Sequence, residues 1–104
     1  MKLWIDDIRA APDGYFWCRS VNEAISTIEL VEYFETLKPN KRIIEVINID
    51  HDAGDFAYEG GDYIKLLDWL EETGRNYPIH IHSMNVIGVE NMRRIIQRNG
   101  WKEV

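Results

Sequence analysis

Apolar and polar positions along this chain follow two rhythms, short solid apolar runs and longer stretches with three-to-four spacing. Lys2 to Ile5 is an apolar run closed by Asp6-Asp7, the pattern of a buried strand whose polar residues begin at its carboxyl end. A loop punctuated by Pro12 and Asp13-Gly14 follows, and Tyr15 to Arg19 supplies aromatic residues suited to a second strand near the sheet edge. Ser20 and Glu23 stand at capping-box spacing, in which each side chain satisfies the other's free backbone N–H. Val21, Ala24, Ile25, Ile28 and Val31 then predict a helix running to about Leu37, where Pro39 stops it. Ile43 to Ile49 is β-branched and apolar at nearly every position, which predicts a central parallel strand covered on both faces. Beyond a polar loop holding Gly54, Gly60 and Gly61, the stripe Ile64, Leu67 and Leu70 predicts a helix ended by Gly74. Pro78 opens a strand from Ile79 to Ser83. Asn85 caps a last helix with Val89, Met92, Ile95 and Ile96 inward and Gly100 at its end, and Trp101 to Val104 supplies a terminal strand.

Strands alternating with helices predict a parallel sheet with right-handed crossovers, and such sheets place their sites outside the carboxyl ends of the strands. A chain of 104 residues builds one core, so one α/β domain spanning 1–104 is expected. The net charge of −6 excludes the basic stripe that extended nucleic-acid binding needs, and leaves a small anionic ligand only if a cation offsets the field. Cys18 is the single cysteine, so neither an internal disulfide nor a thiolate metal cluster is available. The opening MKLWIDD reaches acids too soon for a signal-peptide core, and no apolar run approaches the ~18–20 residues of a membrane span. A cytoplasmic location without membrane contact is the expectation.

The polar clusters fall at the predicted strand ends. Asp6, Asp7 and Arg9 follow the first strand, and Asp50, His51 and Asp52 follow the central one. If these strands are neighbours, their carboxylates converge, and carboxylates so packed either hold protons at raised pKa or share a hard cation such as magnesium or manganese. The cation is the reading preferred here; the alternative is a set of solvated loop acids. His82 and Ser83 close the fourth strand, where an imidazole can be general acid, general base or ligand, and a hydroxyl can meet a phosphate oxygen. His80, two residues earlier on the same face, reads as a satisfied core or supporting histidine. Arg9 can clamp a phosphate or form an ion pair with Asp13 or another acid. The arginines of the last helix suit a solvated face, and the Trp, Tyr and Met residues read as core. No phosphate-binding glycine loop, dinucleotide fingerprint or nucleophile elbow is present.

A paired acid after the first strand, an Asp after the central one and a Ser after the next resemble the receiver domain of response regulators. The segment between the first two strands is too short for that family's first helix, and its lysine is not matched convincingly by Lys102. A closer resemblance is to the cyclic-phosphate processing receiver domain. It rests on Leu3-Trp4-Ile5-Asp6-Asp7-Ile8-Arg9, on Ile49-Asp50-His51-Asp52-Ala53-Gly54, on a looser segment from Gly61 to Trp69, and on His82-Ser83-Met84-Asn85-Val86-Ile87-Gly88. The resemblance implies a compact receiver-like, flavodoxin-like three-layer sandwich with a short parallel sheet of four or five strands and a reduced or missing first helix. It implies metal-assisted processing of a nucleotide- or ribose-derived cyclic phosphate. Asp6, Asp7, Asp50 and Asp52 are then the candidate ligands of magnesium or manganese. Asp50, His51 and His82 are the candidate catalytic groups, and Arg9, Ser83 and Asn85 the candidate contacts to a small phosphorylated substrate. The competing reading is a receiver-like module that binds, or accepts phosphate on Asp50, without turnover.

Overall fold

The computed structural model describes residues 1–38 and 42–104; the expected stop at Pro39 lies outside the described residues. The order is β1 (Lys2–Ile5), β2 (Tyr15–Cys18), α1 (Val21–Leu37), β3 (Val46–Ile49), a short 3-10 turn (Gly54–Phe56), α2 (Ile64–Glu72), β4 (Ile79–Ile81) and α3 (Val86–Asn99). All pairings are parallel, and the strand order is β2-β1-β3-β4, with β2 at the edge as expected. This is the receiver-like, flavodoxin-like arrangement. The expected terminal strand is reduced to one parallel bridge, Ile79 to Glu103, held by Ile79 N–H to the Lys102 carbonyl and Val104 N–H to the Ile79 carbonyl.

Topology decides where the helices lie. The crossovers through α1 and α2 both run from β2 towards β4, so right-handed connections put both helices on the same face, and α3 packs against α2. Leu3, Ile5, Ile47, Ile49 and Ile79 of that sheet face form the core with Ala24, Ile28, Leu66, Leu67, Leu70, Met92 and Ile96. The β1-to-β2 step runs the other way, and a helix there would cover the opposite face. Residues 6–14 contain no helix, so the first helix is missing and, among the described residues, no helix layer covers that face, which carries Lys2, Trp4, Tyr15, Val46, Asn48 and His80. The expected coverage of the central strand on both faces is therefore corrected. So is the expected burial of His80, which is exposed, with its Nδ1 2.7 Å from the Val104 carbonyl. The central strand is also shorter than expected: Ile43 and Ile44 precede it, Ile44 still buried, and Glu45 N–H bonds the Met1 carbonyl.

Local chemistry sets the helix ends. Ser20 Oγ accepts the Glu23 N–H at 3.0 Å, while the Glu23 carboxylate takes the Arg19 N–H at 2.7 Å rather than that of Ser20, so the capping box closes one residue early. Asn85 Oδ1 caps α3 by accepting the Gly88 N–H at 2.9 Å. At its other end Gly100 takes φ 66°, and the Gly100 and Trp101 N–H groups close onto the Gln97 and Ile96 carbonyls. In α2 the buried stripe is Leu66, Leu67 and Leu70, with Ile64 only partly covered. Among the described residues no helix is long and apolar enough to cross a membrane.

The cap gives a direct check on this fold. Ser20→Ala is expected to cost about 1 kcal/mol, seen as a lower urea midpoint with an unchanged slope of free energy on denaturant.

Candidate active site

Both acids of the first cluster sit where β1 ends, and each is fixed by its own set of donors. Asp6 is 1% exposed. Its Oδ1 accepts the N–H groups of Ile8 and Arg9, both at 2.9 Å, and its Oδ2 faces Arg9 Nη1 at 3.3 Å and His82 Nε2 at 2.9 Å. Burial alone would raise the carboxyl's pKa, but the backbone N–H groups of Arg9 and Ile8 and the His82 contact outweigh it and hold Asp6 below the usual carboxylate range. The opposite holds for Asp7, which is pushed up by burial and by the charges of Asp6 and Asp50. Gly54, with φ +53°, leaves room for it, since a Cβ there would lie 2.2 Å from Asp7 Oδ2. The Asp7 carbonyl is held by Arg19, whose Nε and Nη2 donate to it at 3.1 and 2.7 Å while its guanidinium lies between the Trp17 and Phe56 rings.

Asp50 enters from the neighbouring strand β3. Its Oδ1 accepts the His51 N–H at 2.7 Å, and its Oδ2 lies 3.5 Å from Arg9 Nη1. Arg9 therefore pairs with Asp6 and Asp50, not with Asp13. Asp6, Asp7, Ile8, Arg9 and Asp50 line a cleft of about 120 Å³. His82 reaches this cleft across the uncovered sheet face, its Nδ1 on Asn48 Oδ1 and its Nε2 on Asp6. Ligand atoms of Asp6, Asp50 and His82 lie within 4.8 Å of one another.

The remaining expected residues form a second group. His51 Nδ1 lies 2.8 Å from Asp52 Oδ1, and this bond first, with help from Asn85 against the effect of burial, lowers the Asp52 pKa. Asn85 Nδ2 reaches the Asp52 oxygens at 3.3 and 3.4 Å while its Oδ1 caps α3. A Cβ on Gly88 would lie 2.5 Å from the His51 ring, so the first turn of α3 can close on that ring only with glycine there. Among the described residues His51 Nε2 makes no hydrogen bond, whereas both nitrogens of His82 are engaged. Asp52 thus stands with His51 and Asp62 rather than with the other acids. Ser83 Oγ accepts the Asn85 N–H at 3.1 Å, and the residue lines a shallow groove with Met84, Val86 and Arg93 instead of the acid cleft. Lys102 is exposed and follows α3 beside the start of β4, at the end of the sheet away from the cleft.

Three residues of this site escape a reading of the sequence. Trp4, expected in the core, stacks on His82 with ring centroids 4.0 Å apart. Asn48 is a polar residue within an apolar strand, and that interruption is the one signal that marks it in advance. Arg19 had no signal, because its partner is a backbone carbonyl.

Three carboxylates against one arginine leave an excess of negative charge, the environment that a hard divalent cation relieves. Of the three, Asp6 is the most fully engaged, with four donors on its two oxygens, whereas Asp50 has one close donor on Oδ1 and only the 3.5 Å contact of Arg9 on Oδ2. The sign of the linkage follows from the two shifts. Asp6, depressed, contributes stability above its unfolded pKa, lost as pH falls through its folded value. Asp7, raised, costs stability once pH exceeds the ordinary carboxylate range. Asp7→Asn is therefore expected to stabilise the metal-free protein at neutral pH by roughly 0.5–2 kcal/mol. Melts in chelator should show that gain shrinking as pH falls below the carboxylate range, and the same variant should lose any stabilisation by added magnesium.

No curated protein and no solved structure matches the chain. The profile of the cyclic-phosphate processing receiver domain matches residues 1–98, nearly the whole sequence. The chain belongs to the cyclic-phosphate processing receiver domain family.

Proposed function

We propose that the protein hydrolyses a small cyclic phosphodiester, nucleotide- or ribose-derived, at the cleft between the ends of β1 and β3. The observation that carries this reading is the convergence of Asp6, Asp7 and Asp50 around one arginine in a single cleft. In the reaction, water attacks phosphorus, one ring P–O bond breaks, and the departing alkoxide takes a proton.

The residues divide the work by what they are free to do. Arg9, 52% exposed at its side chain and paired only at 3.3 and 3.5 Å, can turn its remaining N–H groups to the phosphate oxygens. His51 is oriented through Nδ1 by Asp52, so its Nε2 is the atom suited to give the proton to the leaving oxygen. His82 has no free nitrogen and serves to fix Asp6. The carboxylate cluster takes the proton that the attacking water loses. Magnesium or manganese, bound by Asp7 and Asp50 with support from Asp6, would supply positive charge to a phosphoryl group that otherwise meets a negative field. The contrary reading, a phosphate-accepting module, is weakened by the position of Lys102 away from the cleft.

The test is phosphorus NMR of 2′,3′-cyclic nucleotides incubated with the protein and magnesium, manganese or zinc. The cyclic signal should convert to a monoester signal. Asp50→Asn and His51→Gln should each slow conversion by about 10²–10⁴-fold, and His82→Gln by less. No conversion with any of the metals, together with a stable phosphoryl mass gain from acetyl phosphate that Asp50→Asn abolishes, would replace hydrolysis with phosphate acceptance.

A further inference from the structure

Trp4 takes no part in the chemistry described above, yet it touches both His82 and Arg9, the two residues whose side chains meet Asp6 Oδ2. Its indole stacks on the His82 imidazole with planes 5° from parallel, and its Nε1–H donates to the Arg9 carbonyl at 2.8 Å. Tyr15 of β2 meets the indole edge-on at 5.8 Å, and Lys2 Nζ lies 5.6 Å from the Tyr15 ring centroid. All of these side chains lie on the sheet face that no helix covers.

That placement creates a physical requirement. His82 starts at the end of β4 and spans β3 to reach Asp6 at the end of β1, held by two hydrogen bonds through its ring nitrogens. Both bonds act near the ring plane and leave tilt about their common line unopposed. A flat aromatic surface stacked on the ring opposes that tilt. The Arg9 carbonyl bond meanwhile fixes the turn whose Ile8 and Arg9 N–H groups grip Asp6 Oδ1. We infer that Trp4 is a positioning residue that holds His82 and the Arg9 turn on Asp6 together, in place of the missing helix layer. Only the kinetic arm of the test rests on the hydrolase reading.

The experiment compares full-length Trp4→Leu, which removes both the stack and the bond, with Trp4→Phe, which keeps an aromatic face and removes only the indole donor. In the wild-type protein the carbon-bound protons of His82 should carry an upfield ring-current displacement, and its Nε2–H should be protected from exchange. Trp4→Leu should lose both signatures while the core methyl shifts stay in place. Trp4→Phe should keep both and change only the Arg9 turn. If cyclic nucleotides are hydrolysed, kcat should fall in Trp4→Leu more than KM rises, and Trp4→Phe should recover much of the loss. A folded Trp4→Leu protein that retains the His82 Nε2–H signal overturns the proposal. If that variant does not fold, Trp4→Met reads the same signatures. The NMR arm stands without turnover, so failure of hydrolysis and failure of the positioning role are separately visible.

Discussion

One buried carboxylate organises this molecule. Asp6 sits at the end of an inner strand with both oxygens engaged: two backbone N–H groups of its own turn on one, His82 and Arg9 on the other. A carboxylate buried to this degree is costly unless each lone pair finds a donor. Satisfying it ties the β1 turn to β4 across the intervening β3. Asn48 and Trp4 complete the arrangement by holding the imidazole from its far nitrogen and from its face. The site is thus built from the middle of the sheet outward, and its geometry depends on Asp6 remaining ionised.

With Asp6 committed to the protein, the remaining acids are left with negative charge that the protein itself does not offset. Asp7 is seated against Gly54 with its backbone secured by Arg19, and its charge is opposed by the charges of Asp6 and Asp50. Such an arrangement costs stability in the metal-free protein, and a bound cation would relieve it. The second group, His51 with Asp52 and Asn85, is a different construction. There an Asp and an Asn fix one side of an imidazole against the start of α3 and leave its other nitrogen open.

Much of this was legible in the residues because local rules set it. Apolar runs ending in Asp6-Asp7 and Asp50-His51-Asp52 mark strands that stop where the acid clusters begin, and Asn85 and Gly100 bound α3 by capping geometry that depends on near neighbours. What was not legible depends on the whole fold. His80 was expected to be covered because a parallel sheet is ordinarily covered on both faces; the short β1-to-β2 loop removes one layer and leaves it exposed. Trp4 reads as core in any strand, and its real partner comes from the end of β4, two strands away in the sheet. Asp52 is two residues from Asp50 and carries the same charge, yet the chain turns after β3 and directs it to His51. Ser83, whose motif suggests a phosphate contact, accepts the Asn85 N–H at its Oγ, a contact that depends on the turn into α3.

The central question is whether the acid cleft takes a divalent cation and then a cyclic phosphate. Carbon-detected NMR of chelator-treated protein, titrated first with magnesium and then with a 2′,3′-cyclic nucleotide, reads the carboxyl carbons and the histidine rings separately. The carboxyl signals of Asp7 and Asp50 should move with the metal while that of Asp6 moves least, and the nucleotide should then shift His51 and the Arg9 side chain. Carboxyl and imidazole signals that stay fixed through both titrations would contradict binding of either, leaving the acids as a solvated rim on a receiver-like fold.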